Sequence, residues 1–284
     1  MQLAYLILGH AHPRQMIRMI ERLRPSASIF VVHIDARADA AVYDELAAYA
    51  VTVHDVLLGP RKRCYWGTYG IMEAAFACIS TVLASGKPFD YAVLLSGQDY
   101  PIKPAMEIAA FFEEHAGAEF IEVFPLDQPN RWTPQGGQFQ AMARVLHLTV
   151  NFRSRTLHIP LKRRFYENWT PHGGSQWWAL SRAAVEWVDS YRRSHPALER
   201  YFRFVFIPDE AMIQTMLANS PFRERIDGTA IHYIDWERPN PKLPRTLDEE
   251  DFERLRGSAC LFARKMHPEM SATLLERVDA DLLG

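Results

Sequence analysis

Short β-rich apolar runs alternate with helical patterns through the first half of the chain, and this alternation constrains the fold more than any other feature. Residues 4–8, 29–34, 51–56, 91–95 and 120–124 have the lengths and residue types of strands. Between them, Pro13 suits the first turn of a helix running to Leu23, Asp39 suits the cap of one running to Tyr49, and residues 69–83 carry the apolar spacing of a third. Strands separated by helices imply an α/β fold with a Rossmann-like, mainly parallel central sheet and right-handed crossovers. Ligands of such sheets bind beyond the carboxyl ends of the strands. That rule singles out Gly9-His10-Ala11-His12, His33-Ile34-Asp35 and Ser96-Gly97-Gln98-Asp99.

Residues 125–172 break the pattern with Pro, Gln, Gly and Arg, and the two hairpin strands expected there are 143–151 and 156–161. Order resumes with a strand at 176–180, a helix from Ser181 to about Ser194, a helix opening at Pro208-Asp209-Glu210 and a strand at 231–234. A further helix is expected at 248–255 and a late strand at 259–263. No internal repeat or low-complexity tract interrupts the series, and 284 residues allow one large or two small domains.

A hydrophobic content of 48% in 284 residues supports a sizeable core. The 32 Lys and Arg against 34 Asp and Glu give a net charge of −2, which offers no global attraction to nucleic acid or an anionic membrane. Cys64, Cys78 and Cys260 are odd in number and lack a C-x-x-C pair, which argues against a zinc cage or a disulfide framework. The first ten residues carry no basic leader, and their apolar run is too short to span a bilayer. A cytoplasmic setting is the expectation.

Several constellations have both a chemical and a plain reading. His10, His12, His33, Asp35 and His54 are residue types that hold divalent metals, or capping and nucleotide-binding groups. Arg61-Lys62-Arg63 beside Tyr65 and Trp66 is either a solvated charged run or a cationic patch with rings to stack a base or sugar. Strand alternation sends one of Trp177 and Trp178 into the core and the other outward, where a flat ring suits a sugar face. Pro208-Asp209-Glu210 is also what generic helix-start chemistry gives. Lys242, Arg245, Arg264 and Lys265 are either surface cations or a clamp that neutralises a diphosphate without a metal.

The order of these pieces resembles that of the core-2/I-branching enzymes, a glycosyltransferase family that includes β-1,6-N-acetylglucosaminyltransferases and xylosyltransferases. The pieces are Tyr5-Leu-Ile-Leu-Gly-His-Ala-His-Pro13, His33-Ile-Asp35, Trp66-Gly67, Leu94-Leu-Ser-Gly-Gln-Asp-Tyr-Pro-Ile-Lys103, Gly174-Ser-Gln-Trp-Trp-Ala-Leu180, Pro208-Asp-Glu210 and Leu261-Phe-Ala-Arg-Lys265. The resemblance implies a single GT-A-like domain with a nucleotide-sugar-binding half (1–124) and an acceptor-binding and catalytic half (125–284). It implies inverting transfer from a UDP-sugar, N-acetylglucosamine or xylose, to a glycan hydroxyl, with no metal cofactor. The only Asp-x-Asp, Asp279-Ala-Asp281, lies far from any strand end of the first half.

By the same resemblance Glu210 is the catalytic base and Lys265 binds the leaving diphosphate, partnered by Lys242 or Arg245. His10, Asp35, Arg63, Tyr65, Asp99 and Arg264 belong to the UDP-sugar pocket, while Glu107, Trp177 and Trp178 face the acceptor. The chain shows no anchor, stem or set of disulfides like those of the animal enzymes. A bacterial enzyme of polysaccharide biosynthesis is therefore expected, acting on a soluble or lipid-linked oligosaccharide at the inner face of the cytoplasmic membrane. The basic stretch Arg153, Arg155, Lys162, Arg163 and Arg164 is either a solvated hairpin or a membrane-facing one. The rival readings are a metal-dependent hydrolase built on His10, His12, His33 and Asp35, and a non-catalytic nucleotide-sugar-binding module.

Overall fold

A computed structural model describes residues 1–133, 138–152, 155–236 and 244–284. The first half alternates as β1 (Leu3–Gly9), α1 (Pro13–Leu23), β2 (Ala27–Ile34), α2 (Ala40–Thr52), β3 (Val56–Leu58), α3 (Gly70–Ala84) and β4 (Tyr91–Ser96). It continues through β5 (Asp99–Pro101), α4 (Ala105–Glu114), β6 (Glu119–Ile121), β7 (Phe124–Pro125), α5 (Gln138–Leu146), β8 (His147–Phe152) and β9 (Arg155–Lys162). The remainder is β10 (His172–Gly173), β11 (Trp178–Ser181), α6 (Arg182–Ser194), α7 (Pro196–Phe202), α8 (Met212–Ala218), β12 (Ile226–Asp227), β13 (His232–Ile234), α9 (Phe252–Arg256), β14 (Phe262–Arg264) and α10 (Ala272–Val278).

The central sheet runs β12-β6-β11-β4-β1-β2-β3. Strands β4, β1, β2 and β3 pair in parallel, and β11 is antiparallel to both of its neighbours. In β1, Leu3, Tyr5 and Ile7 pack into one core and Ala4 and Leu6 into the other. A near-continuous apolar run is therefore what this strand needs, because both faces are covered. Helices α3, α6 and α8 close one face through Phe76, Ile79, Val188 and Met216. Helices α1, α4, α9 and α10 close the other through Met16, Ile20, Phe112, Leu255 and Leu275.

Several expected boundaries move. Val51 and Thr52 belong to the last turn of α2, because the Ala-rich helix continues and Val51 points to solvent, and the strand forms only where Val56 pairs with Phe30. Residues 143–146 are helical, so the hairpin begins at His147. Phe124 leaves the main sheet to pair with Gly173.

A smaller sheet, β13-β14-β5, joins two distant segments. Its antiparallel register sets Arg264 opposite Asp99, so the Ser-Gly-Gln-Asp-Tyr-Pro and Phe-Ala-Arg-Lys segments meet through backbone pairing. This ladder carries the C-terminal cations to the carboxyl end of the main sheet, beside β4.

Candidate active site

A cleft of about 1040 Å³ opens over the carboxyl ends of β1, β2 and β4, where a parallel sheet places its ligands. His10 and Asp35 line its floor. The Asp35 carboxylate accepts the backbone N–H of Arg37 at 2.9 Å and of Cys64 at 3.2 Å, which folds the two strand-end loops onto each other. Arg37 lies over the Tyr65 ring at 4.0 Å. Arg37, Cys64 and Trp66 reach the cleft, whereas Arg63 is exposed outside it and Tyr65 stands behind Arg37.

The histidine cluster does not assemble into a ligand set. His33 accepts the Lys62 backbone N–H at 2.8 Å through Nε2, and burial lowers its pKa to about 4, so it is a neutral acceptor fixing a loop. His12 packs edge-on against His267 with ring centroids 4.7 Å apart. Among the described residues no three His, Cys, Asp or Glu side chains stand close enough to share a metal.

Glu210 is presented by a single 3₁₀ turn, Pro208–Glu210, preceding α8 rather than by a continuous helix. Before the turn Ile207 adopts φ 53°. That left-handed conformation costs a β-branched residue on the order of 1–2 kcal/mol. It is held by the Ile207 N–H bonding the Gly67 carbonyl at 3.1 Å and the Glu210 N–H bonding the Ile207 carbonyl at 3.2 Å. The Arg144 guanidinium donates to Glu210 Oε2 at 3.4 Å and stacks on Trp132 at 4.1 Å. Burial pushes the Glu210 carboxyl upward, and the Arg144 and Arg131 charges oppose that rise. Arg131 pairs with Glu122 at 2.8 Å on the same wall. Gly174 lets β11's approach pass this wall closely, since a Cβ there would lie 1.7 Å from the Glu122 carbonyl oxygen.

Asp209 is buried beside Glu210, and burial, aided by the Glu210 charge, raises its pKa to about 7. An unfolded chain releases that proton near pH 3.9, so the folded state binds the extra proton between about 4 and 7. The resulting stability is complete below the lower value and is lost as pH rises through about 7. Asp209→Asn should therefore be increasingly stabilised relative to wild type from about pH 4 to about pH 8, by a few kcal/mol at the upper end. Urea unfolding across that range checks it, and a pH-independent difference would contradict the assignment.

Arg264 and Lys265 both line the cleft. Arg264 pairs with fully buried Asp99 at 3.3 Å and lies over Trp177 at 4.0 Å. Burial and the neighbouring Arg264 charge lower the Lys265 pKa. Asp99 thus supports a cation from below and does not line the cleft itself. Arg245 is placed differently from expectation. Its guanidinium is taken up by Asp235 at 3.1 Å, Asp248 at 2.8 Å and Asp251, an acidic nest that ties α9 to β13. Arg245 does not line the cleft, and Arg264 is the cation beside Lys265. Lys242 lies outside the described residues.

Trp177 lines the cleft, whereas Trp178 is buried in the core beside Leu180. Glu107 sits exposed on the first turn of α4, away from the cleft. Glu122, after β6, does line the cleft. Sequence reasoning missed Glu122, inside the expected strand 120–124, and Arg131, Trp132 and Arg144, whose only signal was the Arg- and Trp-containing irregular stretch.

The family description core-2/I-branching enzyme matches residues 3–256. The chain belongs to the core-2/I-branching enzyme family. Similar relatives are xylosyltransferase 2 of Rattus norvegicus, 24% identical over 100% of this chain and 34% of that protein, and xylosyltransferase oxt of Drosophila melanogaster, 24% identical over 95% and 32%. This core-2/I-branching chain thus spans about a third of the length of the curated relatives it matches. Among solved structures, an active-site mutant of LgtC aligns with a TM-score of 0.48 and 8% identity over 98% of this chain and 94% of that one.

Proposed function

We propose that this core-2/I-branching protein is an inverting, metal-independent glycosyltransferase that moves a sugar from a UDP-sugar to a glycan hydroxyl. The observation that carries the reading is the presence, in one cleft, of Glu210 on its own turn and the Arg264–Lys265 pair. Xylose is the first donor sugar to consider, because the similar relatives are xylosyltransferases, and N-acetylglucosamine is the second.

The acceptor O–H attacks the anomeric carbon as the bond from that carbon to the diphosphate oxygen breaks. Glu210 takes the proton, and the negative charge building on UDP is met by Arg264 and Lys265. These two cations supply the neutralisation that a bound metal gives elsewhere. One displacement inverts the configuration, so no carboxylate nucleophile is needed, and Asp209 with its raised pKa is poorly suited to be one. Asp35, His10 and Arg37 at the strand ends are suited to hold the uridine. Trp177, Glu122 and Arg131 are suited to hold the acceptor sugar by ring contact and hydrogen bonds.

The test is UDP release from a panel of UDP-sugars in the presence of EDTA. Release with glycosylated product supports the reading, and turnover abolished by EDTA overturns its metal-independent form.

A further inference from the structure

The β8–β9 hairpin has two unlike faces. Thr149 is buried and its N–H bonds the Phe204 carbonyl at 2.9 Å, while its cross-strand partner His158, itself exposed, lays its ring against Phe206 at 4.7 Å. The register pairs Leu148 with Ile159 and Val150 with Leu157, so these four share the other face, on which Val150 and Leu157 are exposed and Leu148 and Ile159 half-buried. Leu157 is 61% exposed and Leu161, farther along β9, is 60% exposed. Exposed Arg155, Lys162 and Arg164 rim this apolar strip. Residues 155–166 contain four Lys and Arg and no Asp or Glu, in a chain whose net charge is only −2. Arg163 anchors the base of the hairpin by donating to the Val145, Tyr201 and Phe204 carbonyls.

We propose that this hairpin docks on an anionic bilayer surface and holds the cleft against it, so that the acceptor is membrane-borne. An apolar strip rimmed by cations is the chemistry that lies in a negatively charged headgroup layer. A second copy of the chain is a poor occupant, because face-to-face pairing would oppose the cations of both copies. The hairpin is coupled to the cleft through Phe206. That ring also packs against Trp66, 5.7 Å away and 75% exposed at the cleft mouth, and its backbone N–H bonds the carbonyl of Arg144, the partner of Glu210. The use made of the docking rests on the glycosyl-transfer reading, whereas the docking itself does not.

The test is co-sedimentation of the full chain with vesicles of phosphatidylcholine alone or equimolar with phosphatidylglycerol, alongside a UDP titration. Wild type should bind the anionic vesicles, with binding weakened by salt, and should leave the neutral ones. Lys162→Gln with Arg164→Gln should weaken partition about fivefold per cation removed. Leu157→Asp with Leu161→Asp should abolish it, with UDP affinity unchanged as proof that the fold is intact. Wild type that stays in the supernatant, undiminished binding by the Leu variant, or a concentration-dependent dimer lost in that variant without vesicle binding would each overturn the proposal. UDP affinity reports separately on the glycosyl-transfer reading.

Discussion

Glu210→Gln is expected to bind UDP as wild type does and to lose sugar transfer by about 10²–10⁴-fold, the usual worth of a positioned general base. Glutamine keeps the shape and one acceptor oxygen but cannot take the acceptor proton. The 3₁₀ turn that carries the side chain is set by backbone bonds to Ile207 and Gly67 and survives the exchange. The loss should therefore fall on kcat and on kcat/KM alike, because the missing interaction exists only as the proton moves. Single-turnover transfer with saturating donor measures it directly. A variant retaining near wild-type turnover would remove Glu210 as the base.

Lys265→Ala is the second large effect, and it should weaken UDP binding and slow transfer together. A charge-assisted contact to the diphosphate is worth about 1.5–3 kcal/mol, or roughly tenfold to a hundredfold in UDP affinity. The leaving group carries more charge in the transition state than in the donor, so the rate should fall further than ground-state affinity alone predicts. Lys265 is a cleaner probe than Arg264. Truncating Arg264 would leave Asp99, which is fully buried, without its ion-pair partner, and such a loss typically costs about 3–5 kcal/mol of stability. Calorimetric titration of UDP into the Lys265→Ala protein decides the point, and unchanged affinity would sink the assignment.

Much of the fold was legible because burial on both faces of β1 and β2 forces a readable apolar run and each intervening helix has a distinct start. Pro13 and Asp39 stand where the helices begin. Alternation also divided the tryptophans, although only the structure says that Trp178 goes inward and Trp177 meets the cleft. What the sequence hid were partnerships between distant residues. The cations near the C-terminus look alike in one dimension, yet Arg245 is claimed by Asp235, Asp248 and Asp251 while Arg264 is delivered to the cleft by pairing with β5. Glu107 and Glu122 are likewise both carboxylates downstream of Asp99. Helix α4 turns the first toward solvent, and the strand exit after β6 turns the second into the cleft. Arg144 had only its irregular surroundings as a signal, because its partner sits on a turn 66 residues away.

Turnover of a UDP-sugar panel by chelator-treated protein, with released UDP and the anomeric configuration of the product read together, tests the central claim most directly. UDP release should survive EDTA, favour one donor and yield a product of inverted configuration, with all three lost in Glu210→Gln. Retained configuration, or turnover that returns only on adding a divalent metal, would contradict it.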